Sequence, residues 1–407
     1  MWKVSASKHI TALLQALGVA LTQTTANGQI STKKDILESL SHIPVIADIL
    51  TFRENDKLNS TFIWQIFDRF VNGECVQRGY ADDNDRIHPI WSVNKITGRW
   101  ASYEPVVSNV PKDKWKKLGL EATATLTSGL VLPAPGSKFT LLSGSLARVN
   151  KDKSKTISAM VRPNLRAQIR APKGRVFIGG DFAQIEYRII ALLSGDPHLC
   201  RTFEQGKDIH VENARVIWPE FDSFDKETQK EVRERAKPLG YGAMYLAQVE
   251  TLHRQLLKDG YNVKLADVAT AIGKLLQAMS GVVRWQRETV ARASQPPYEV
   301  CDIVLGRRRT WPLGQVEGTE AVNFGVQSTA AAIMDQGLLN HSQSLQKYKE
   351  ADLIGQFHDA VIVEAWEDDA EDIAVDMKRD FEQEVEHNGY RIPFIFEPKI
   401  GIDWTQV

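Results

Sequence analysis

An α+β fold is predicted by three features: a short apolar run ending in a carboxylate, an apolar hairpin with a second carboxylate at its tip, and long stretches of helical periodicity between and before them. At 407 residues the chain is too long for one small core, so two or three lobes are expected.

Taken in chain order, residues 7–17 and 33–53 repeat apolar side chains at helical spacing, with Ser31-Thr32 as an N-cap before the second stretch. The first sixty or so residues are therefore expected to be helical. Residues 118–159 turn to Gly, Ser, Thr, Pro and Lys with weak periodicity, including Pro133-Ala134-Pro135-Gly136-Ser137, and read as an extended loop or hairpin insertion. Val176-Phe177-Ile178-Gly179-Gly180, closed by Asp181, reads as a buried strand, followed by a helix through Ile189, Ile190, Leu192 and Leu193. A mostly helical block, 198–293, has the size of a separate lobe, after which 298–304 returns to strand and enters the turn Gly306-Arg307-Arg308-Arg309. Leu353-Ile354-Gly355-Gln356-Phe357 and Val361-Ile362-Val363 flank His358-Asp359-Ala360 as a tight hairpin.

Hydrophobic content of 43% with 25% charge is ordinary for a globular chain, and no apolar run approaches the roughly 20 residues of a bilayer span. Met1-Trp2-Lys3-Val4 does not open a secretory signal, so a cytoplasmic protein is expected. Cys75, Cys200 and Cys301 are scattered and odd in number, which suggests neither a disulfide framework nor a thiolate zinc site. Fifty basic against fifty-one acidic residues remove any case for nucleic-acid binding from global charge. Local basic clusters stand at 112–117, 151–155 and Arg307-Arg308-Arg309, each of which by itself reads as solvated surface.

Chemistry centres on Asp181 and Asp359. Carboxylates beside buried strands need a compensating partner, and hard oxygen donors left open to phosphate and water suit Mg²⁺, so two such aspartates could hold a metal pair. From this pair alone, capping of a turn or helix is the commoner reading. Arg233, Lys237, Tyr241 and Tyr245 step by four along a predicted helix and share one face. Such a stripe could bind a triphosphate and offer rings to a base or sugar, though on spacing alone a solvated face with packed tyrosines is the favoured reading.

These residues together resemble a known family. Asp181-Phe182-Ala183-Gln184-Ile185-Glu186-Tyr187-Arg188 resembles the first catalytic motif of family A DNA polymerases, the group of bacterial DNA polymerase I and many phage replicases, usually written DYSQIELR. The stripe with Gly242 resembles its second motif and Gln356-Phe357-His358-Asp359 its third, in the family's order. Weaker matches at 25–32, Phe52-Arg53 with Lys57-Leu58 and Thr61, Thr97-Gly98-Arg99, Asp208-Ile209-His210, Gly306-Arg307-Arg308-Arg309, and Asn323 with Gln327 extend the resemblance over nearly the whole chain.

The resemblance implies a right-hand polymerase: an antiparallel palm sheet (66–190, with the insertion at about 118–159, and 301–407), mostly helical fingers (191–300), and a truncated helical thumb (1–65). It implies a template-directed DNA polymerase extending a primer with deoxynucleoside triphosphates, using two Mg²⁺ ions for which Mn²⁺ can substitute. Asp181, Asp359 and the Phe182 carbonyl become the metal ligands, one ion activating the primer 3′-OH and the other steadying pyrophosphate. Arg233, Lys237 and His210 grip the triphosphate, Lys237 also serving as general acid, while Gln184 lines the nucleotide site, Tyr241 stacks near sugar and base, and Glu186 closes the pocket against a ribose 2′-OH. Arg99, Tyr245, Asn323, Gln327 and His358 face the primer terminus or the minor groove. A hydroxyl at Tyr241 implies ready use of dideoxynucleotides. The partners implied are primer-template DNA and nucleotides, with no membrane. No proofreading exonuclease is recognisable, and the chain opens inside the thumb, which points either to a separate chain supplying an exonuclease or the remaining thumb, or to removal of that part from a longer chain.

Several positions depart from the family pattern. Ala360 replaces the usual glutamate after His-Asp, Leu246 stands where glycine is usual, and 105–111 only partly resembles PNLQNIP. Pro238 lacks the N–H that a regular helix needs, so the helix is expected to bend or start near it. The rival readings are a single-subunit RNA polymerase, in which no steric glutamate such as Glu186 is expected, and a noncatalytic DNA-binding homologue, against which the intact Asp181, Asp359, Arg233 and Lys237 argue. A repair or lesion-bypass role has room in the insertion.

Overall fold

In the computed structural model of the chain, the apolar run at 176–180 forms strand β1, Arg175–Phe182, buried at every position but Arg175 and Asp181. Residues 6–19, 31–40, 43–110, 115–118, 138–140, 146–149, 157–160, 165–259 and 261–407 are described. They fall into two compact units, Met1–Ser92 with Ser102–Val110, and Val93–Ala101 with Pro111–Val407.

The second unit is built around β1. The predicted hairpin is strand β2, Asp352–Phe357, paired to strand β3, Ala360–Trp366, and β3 pairs along the whole of β1. Strand β4, Phe396–Gly401, covers the other side of β1, giving a four-stranded antiparallel sheet in the order β2-β3-β1-β4. Gly180 is required by packing: a Cβ there would lie 2.4 Å from the Phe396 ring. That ring stacks on Phe381 at 4.5 Å and meets Phe182 edge-on at 5.0 Å, a dry base under the end of β1. Phe381 ends a helix, Ala370–Phe381, that lies against β1 and β4.

After β1, Gln184 takes a left-handed conformation and helix α1, Ile185–Ser194, begins; all but two of its residues are buried, as its apolar sequence dictates. The block at 198–293 is helical as expected, and its first three α-helices start where aspartates cap them: Asp196 before Pro197–Glu204, Asp208 before helix α2, Ile209–Ile217, and Asp225 before helix α3, Lys226–Met244. Helix α4, Gly318–Leu345, is buried at almost every position from Ala321 to Met334; Asn323 and Gln327, four apart, are half-buried and share one face.

The first unit packs Ile10, Leu14, Leu37, Ile46 and Ile49 into a small helical core. The stretch read as one helix over 33–53 is two, Lys34–Ser39 and Pro44–Leu58, because Pro44 forces Ile43 into an extended conformation and then serves as a first helical residue. Thr32 is not seen as a cap: its hydroxyl donates to Ser7 Oγ at 2.9 Å, and its carbonyl accepts from Arg53. Within the insertion, strands Trp115–Leu118, Lys138–Thr140, Leu146–Val149 and Ile157–Met160 form a four-stranded antiparallel sheet rather than an open loop or lone hairpin. Residues 25–30, 111–114 and 151–155 lie outside the described residues.

Helix α3 neither starts nor stops at Pro238. The proline withholds one donor from the Glu234 carbonyl, but buried Val232, Ala236, Leu239 and Ala243 hold the helix on both sides of it. Among the described residues no helix is long and apolar enough to cross a membrane.

Candidate active site

The strand register joins the two aspartates. Asp181 lies opposite Ala360, and the Phe182 N–H donates to the Asp359 carbonyl at 3.3 Å, so carboxylates far apart in sequence share one edge of the sheet. Asp181 is exposed and Asp359 half-buried. His358, with φ of 62°, makes the tight turn, and Gln356 Nε2 donates to its carbonyl. Burial, and then the negative charges of Asp181 and Glu186, push the Asp359 carboxyl above the usual carboxylate range against the pull of its own backbone N–H and of Arg99.

Like charges gathered at an open edge fit a hard cation. Two carboxylates and a backbone carbonyl are oxygen donors of the kind Mg²⁺ takes, with coordination left for water and phosphate. Among the described residues no group of three or more His, Cys, Asp and Glu could hold a metal, so further ligands would come from backbone, water or substrate.

Beside this edge, Glu186 is held from two sides. Arg99 donates to Oε1 at 3.2 Å and the Tyr245 hydroxyl to Oε2 at 2.8 Å. Burial first, and then Glu186, push the Tyr245 hydroxyl far up, so it stays a donor. Arg99 is positioned in turn by Arg307, whose guanidinium donates to the Thr97 carbonyl at 3.2 Å and lies where a Cβ on Gly98 would fall, 2.0 Å from it. Gly98 also has φ of 74°, so both space and backbone demand glycine there.

Tyr241 connects the carboxylates to the cations. Burial, then Glu186 and Asp359, push its hydroxyl up to about 12. Its ring meets Tyr187 at 4.9 Å and His210 at 6.0 Å, and Tyr187 accepts from Asn213 at 3.1 Å. Gly240 lets this wall approach the helix, since a Cβ would lie 2.1 Å from the Tyr187 hydroxyl. Burial pulls His210 down to about 4, so it is a neutral imidazole at physiological pH, and its buried Nδ1 has no hydrogen-bond partner among the described residues. Two turns back along α3 from Tyr241, Arg233 donates through Nε to Asp208 at 3.1 Å and through a terminal nitrogen to Glu234 at 2.9 Å, while Lys237, one turn back, donates to both oxygens of Glu234.

Thus Asp181, Phe182 and Asp359 meet at the sheet edge, with Arg99, Glu186, Tyr241 and Tyr245 linked to them, and His210, Arg233 and Lys237 linked through Tyr241 and Asp208. Gln184 sits half-buried at the start of α1 without capping it. The described contacts do not tie Asn323 or Gln327 to the carboxylates, whereas His358 directly precedes Asp359 in the turn. Sequence reasoning missed the partners of the two cations, Asp208 and Glu234, and the Tyr187–Asn213 wall. Glu234 three residues before Lys237 was the one local signal available.

The sequence pattern of the family described as DNA polymerase family A matches residues 2–406. DNA polymerase I of Chloroflexus aurantiacus is 27% identical over 398 residues, 94% of this chain and 34% of the relative. The thermostable DNA polymerase I of Thermus aquaticus is 25% identical over 405 residues, 96% of this chain and 40% of the relative. The chain therefore spans between a third and two fifths of the length of these curated relatives. A solved structure titled as the POL domain of Pol1 from M. smegmatis in complex with DNA primer-template and dNTP shares the fold, with a TM-score of 0.71 at 21% identity over 99% of this chain and 61% of that one.

Proposed function

As the chain belongs to DNA polymerase family A, we propose that it is a DNA-directed DNA polymerase that extends a primer on a DNA template with deoxynucleoside triphosphates. The observation that carries the reading is the register that sets Asp181 beside Asp359, with Tyr241 between them and the Arg233–Lys237 cations. Residues 66–190 and 301–407 are assigned to the palm, 191–300 to the fingers and 1–65 to part of the thumb.

In this reading Asp181, Asp359 and the Phe182 carbonyl hold two Mg²⁺ ions, or Mn²⁺ in their place. Divalent ions bound there supply activation of the primer 3′-OH and compensation of charge on the leaving pyrophosphate. Arg233 and Lys237 bind the triphosphate oxygens, Lys237 protonates the departing pyrophosphate, and neutral His210 contributes a hydrogen bond rather than a charge. Tyr241 stacks by the incoming sugar and base. Gln184 lines the nucleotide pocket, and Asn323, Gln327 and His358 face primer and template across the minor groove.

Glu186 is the residue that excludes ribose. Arg99 and Tyr245 fix both of its oxygens, so a 2′-OH arriving there meets a carboxylate that cannot turn away. In a competition between deoxynucleotides and ribonucleotides on a primed DNA template, wild type is expected to take the deoxynucleotide, and Glu186→Ala to raise the ribonucleotide share by about tenfold or more. A wild type that prefers ribonucleotides would move the chain to the single-subunit RNA polymerase reading. Tyr241→Phe is expected to cut dideoxynucleotide use relative to deoxynucleotide use by about tenfold, measured as chain termination; an unchanged ratio would remove the hydroxyl from the sugar site.

A further inference from the structure

The carboxylate of Glu234 occupies the cradle that the polymerase reading assigns to the triphosphate. Lys237 Nζ donates to its two oxygens at 2.7 and 2.8 Å, and Arg233 donates to Oε1 at 2.9 Å. Asp208 also binds Arg233, but its other oxygen caps α2, accepting from the His210 N–H at 2.8 Å and the Val211 N–H at 3.3 Å. Asp208 is therefore anchored by the fold, and moving it would uncap a helix. The bonds described for the Glu234 carboxylate go to Arg233 and Lys237 alone, and its side chain is 43% exposed on α3, free to swing out by rotation about its own bonds.

A carboxylate presenting two oxygens to a lysine and an arginine makes the same contacts a phosphate group would make. Two anions cannot share those donors, so one must leave when the other binds. We propose that Glu234 is a built-in competitor of the incoming triphosphate: it covers Arg233 and Lys237 in the nucleotide-free chain, is displaced on binding, and returns as pyrophosphate leaves. Glu234 thereby sets nucleotide affinity and speeds product release, and the proposal rests on the polymerase reading of the site. The plainer alternative, a pair that only supports the helix, predicts no change in nucleotide binding.

The test is equilibrium binding of a deoxynucleotide with Mg²⁺ to the chain bound to a primer-template whose primer ends in a dideoxynucleotide. Glu234→Gln is expected to bind about fivefold to tenfold tighter than wild type, the sum of two partly exposed ion pairs released from competition. Inorganic pyrophosphate should inhibit extension at correspondingly lower concentration. The gain should shrink when Glu234→Gln is made in a Lys237→Met background, because part of the competition passes through that lysine. Equal or weaker binding by Glu234→Gln overturns the proposal, as does an undiminished gain in the Lys237→Met background. Glu234→Ala gives the same reading if the glutamine variant melts early. Normal extension by wild type with no tighter binding by the variants overturns this inference alone, whereas a wild type that binds no nucleotide and extends no primer overturns the polymerase reading beneath it.

Discussion

Asp359→Asn is expected to lower primer extension by at least about 10³-fold while leaving the free protein as stable as wild type or more so. The two effects have one cause. Burial, joined by the charge of Asp181, raises the Asp359 carboxyl, so the folded state holds that proton more tightly than the unfolded chain does. The sign follows from linkage: stability falls as pH rises from the ordinary carboxylate range through the raised value of the folded state, and the cost is fully present above that value. Asparagine keeps the shape and removes the charge, hence that cost. Thermal melts against pH check it, the variant losing the wild type's decline over that window. Divalent ions should raise the melting temperature of wild type and not of Asp359→Asn or Asp181→Asn, since a bound cation stabilises only a state that can hold it. The double variant should be little worse in extension than either single one, as expected of groups acting as a unit. A variant that keeps most of its activity would remove Asp359 from the chemistry.

Arg188→Met is expected to destabilise the second unit by about 3 kcal/mol or more, lowering its melting temperature by about 5–10 °C. Arg188 is 5% exposed, donates to the Ala183 carbonyl at 2.9 Å and to the Pro393 carbonyl at 2.6 Å, and lies 4.7 Å over the Phe203 ring. Burial pulls its guanidinium down to about 10, which still leaves it charged at neutral pH. It thus fastens the turn after Asp181 to the segment leading into β4, and without it two carbonyls lose strong donors inside the protein. Arg188→Lys should recover little, because an ammonium cannot span both carbonyls as the planar fork does. Well below its melting point Arg188→Met should still extend primers at least about tenfold more slowly, since Asp181 is held through Ala183. Calorimetry of the three proteins, with extension rates at low temperature, decides this; a methionine variant that melts with wild type would make the clamp dispensable.

What could be read from the sequence was what has a local signature. The 176–180 run and the 353–363 hairpin stand out because buried strands need uninterrupted apolar side chains, and the turn at His358-Asp359 follows from two such runs so close together. The fourfold spacing of Arg233, Lys237, Tyr241 and Tyr245 dictates one helix face wherever the helix lies. The strands in the insertion gave no such signal, being only three or four residues long and set among Gly, Ser, Thr, Pro and Lys. Pro238 does not start the helix because propensity is a local cost, and the packing of α3 outweighs one missing hydrogen bond. The pairing of Asp208 with Arg233, the wall of Tyr187 and Asn213 against Gly240, and the seat of Arg307 on Gly98 join residues 25 to 210 positions apart and become visible only in three dimensions.

The most direct test of the account is extension of a labelled primer on a DNA template by the wild-type chain with Mg²⁺ and each deoxynucleotide in turn. The nucleotide complementary to the template base, and that one alone, is expected to be added, with a dependence on divalent ion. Folded protein that binds the primer-template and divalent ions yet adds nothing would contradict it and leave a noncatalytic DNA-binding homologue.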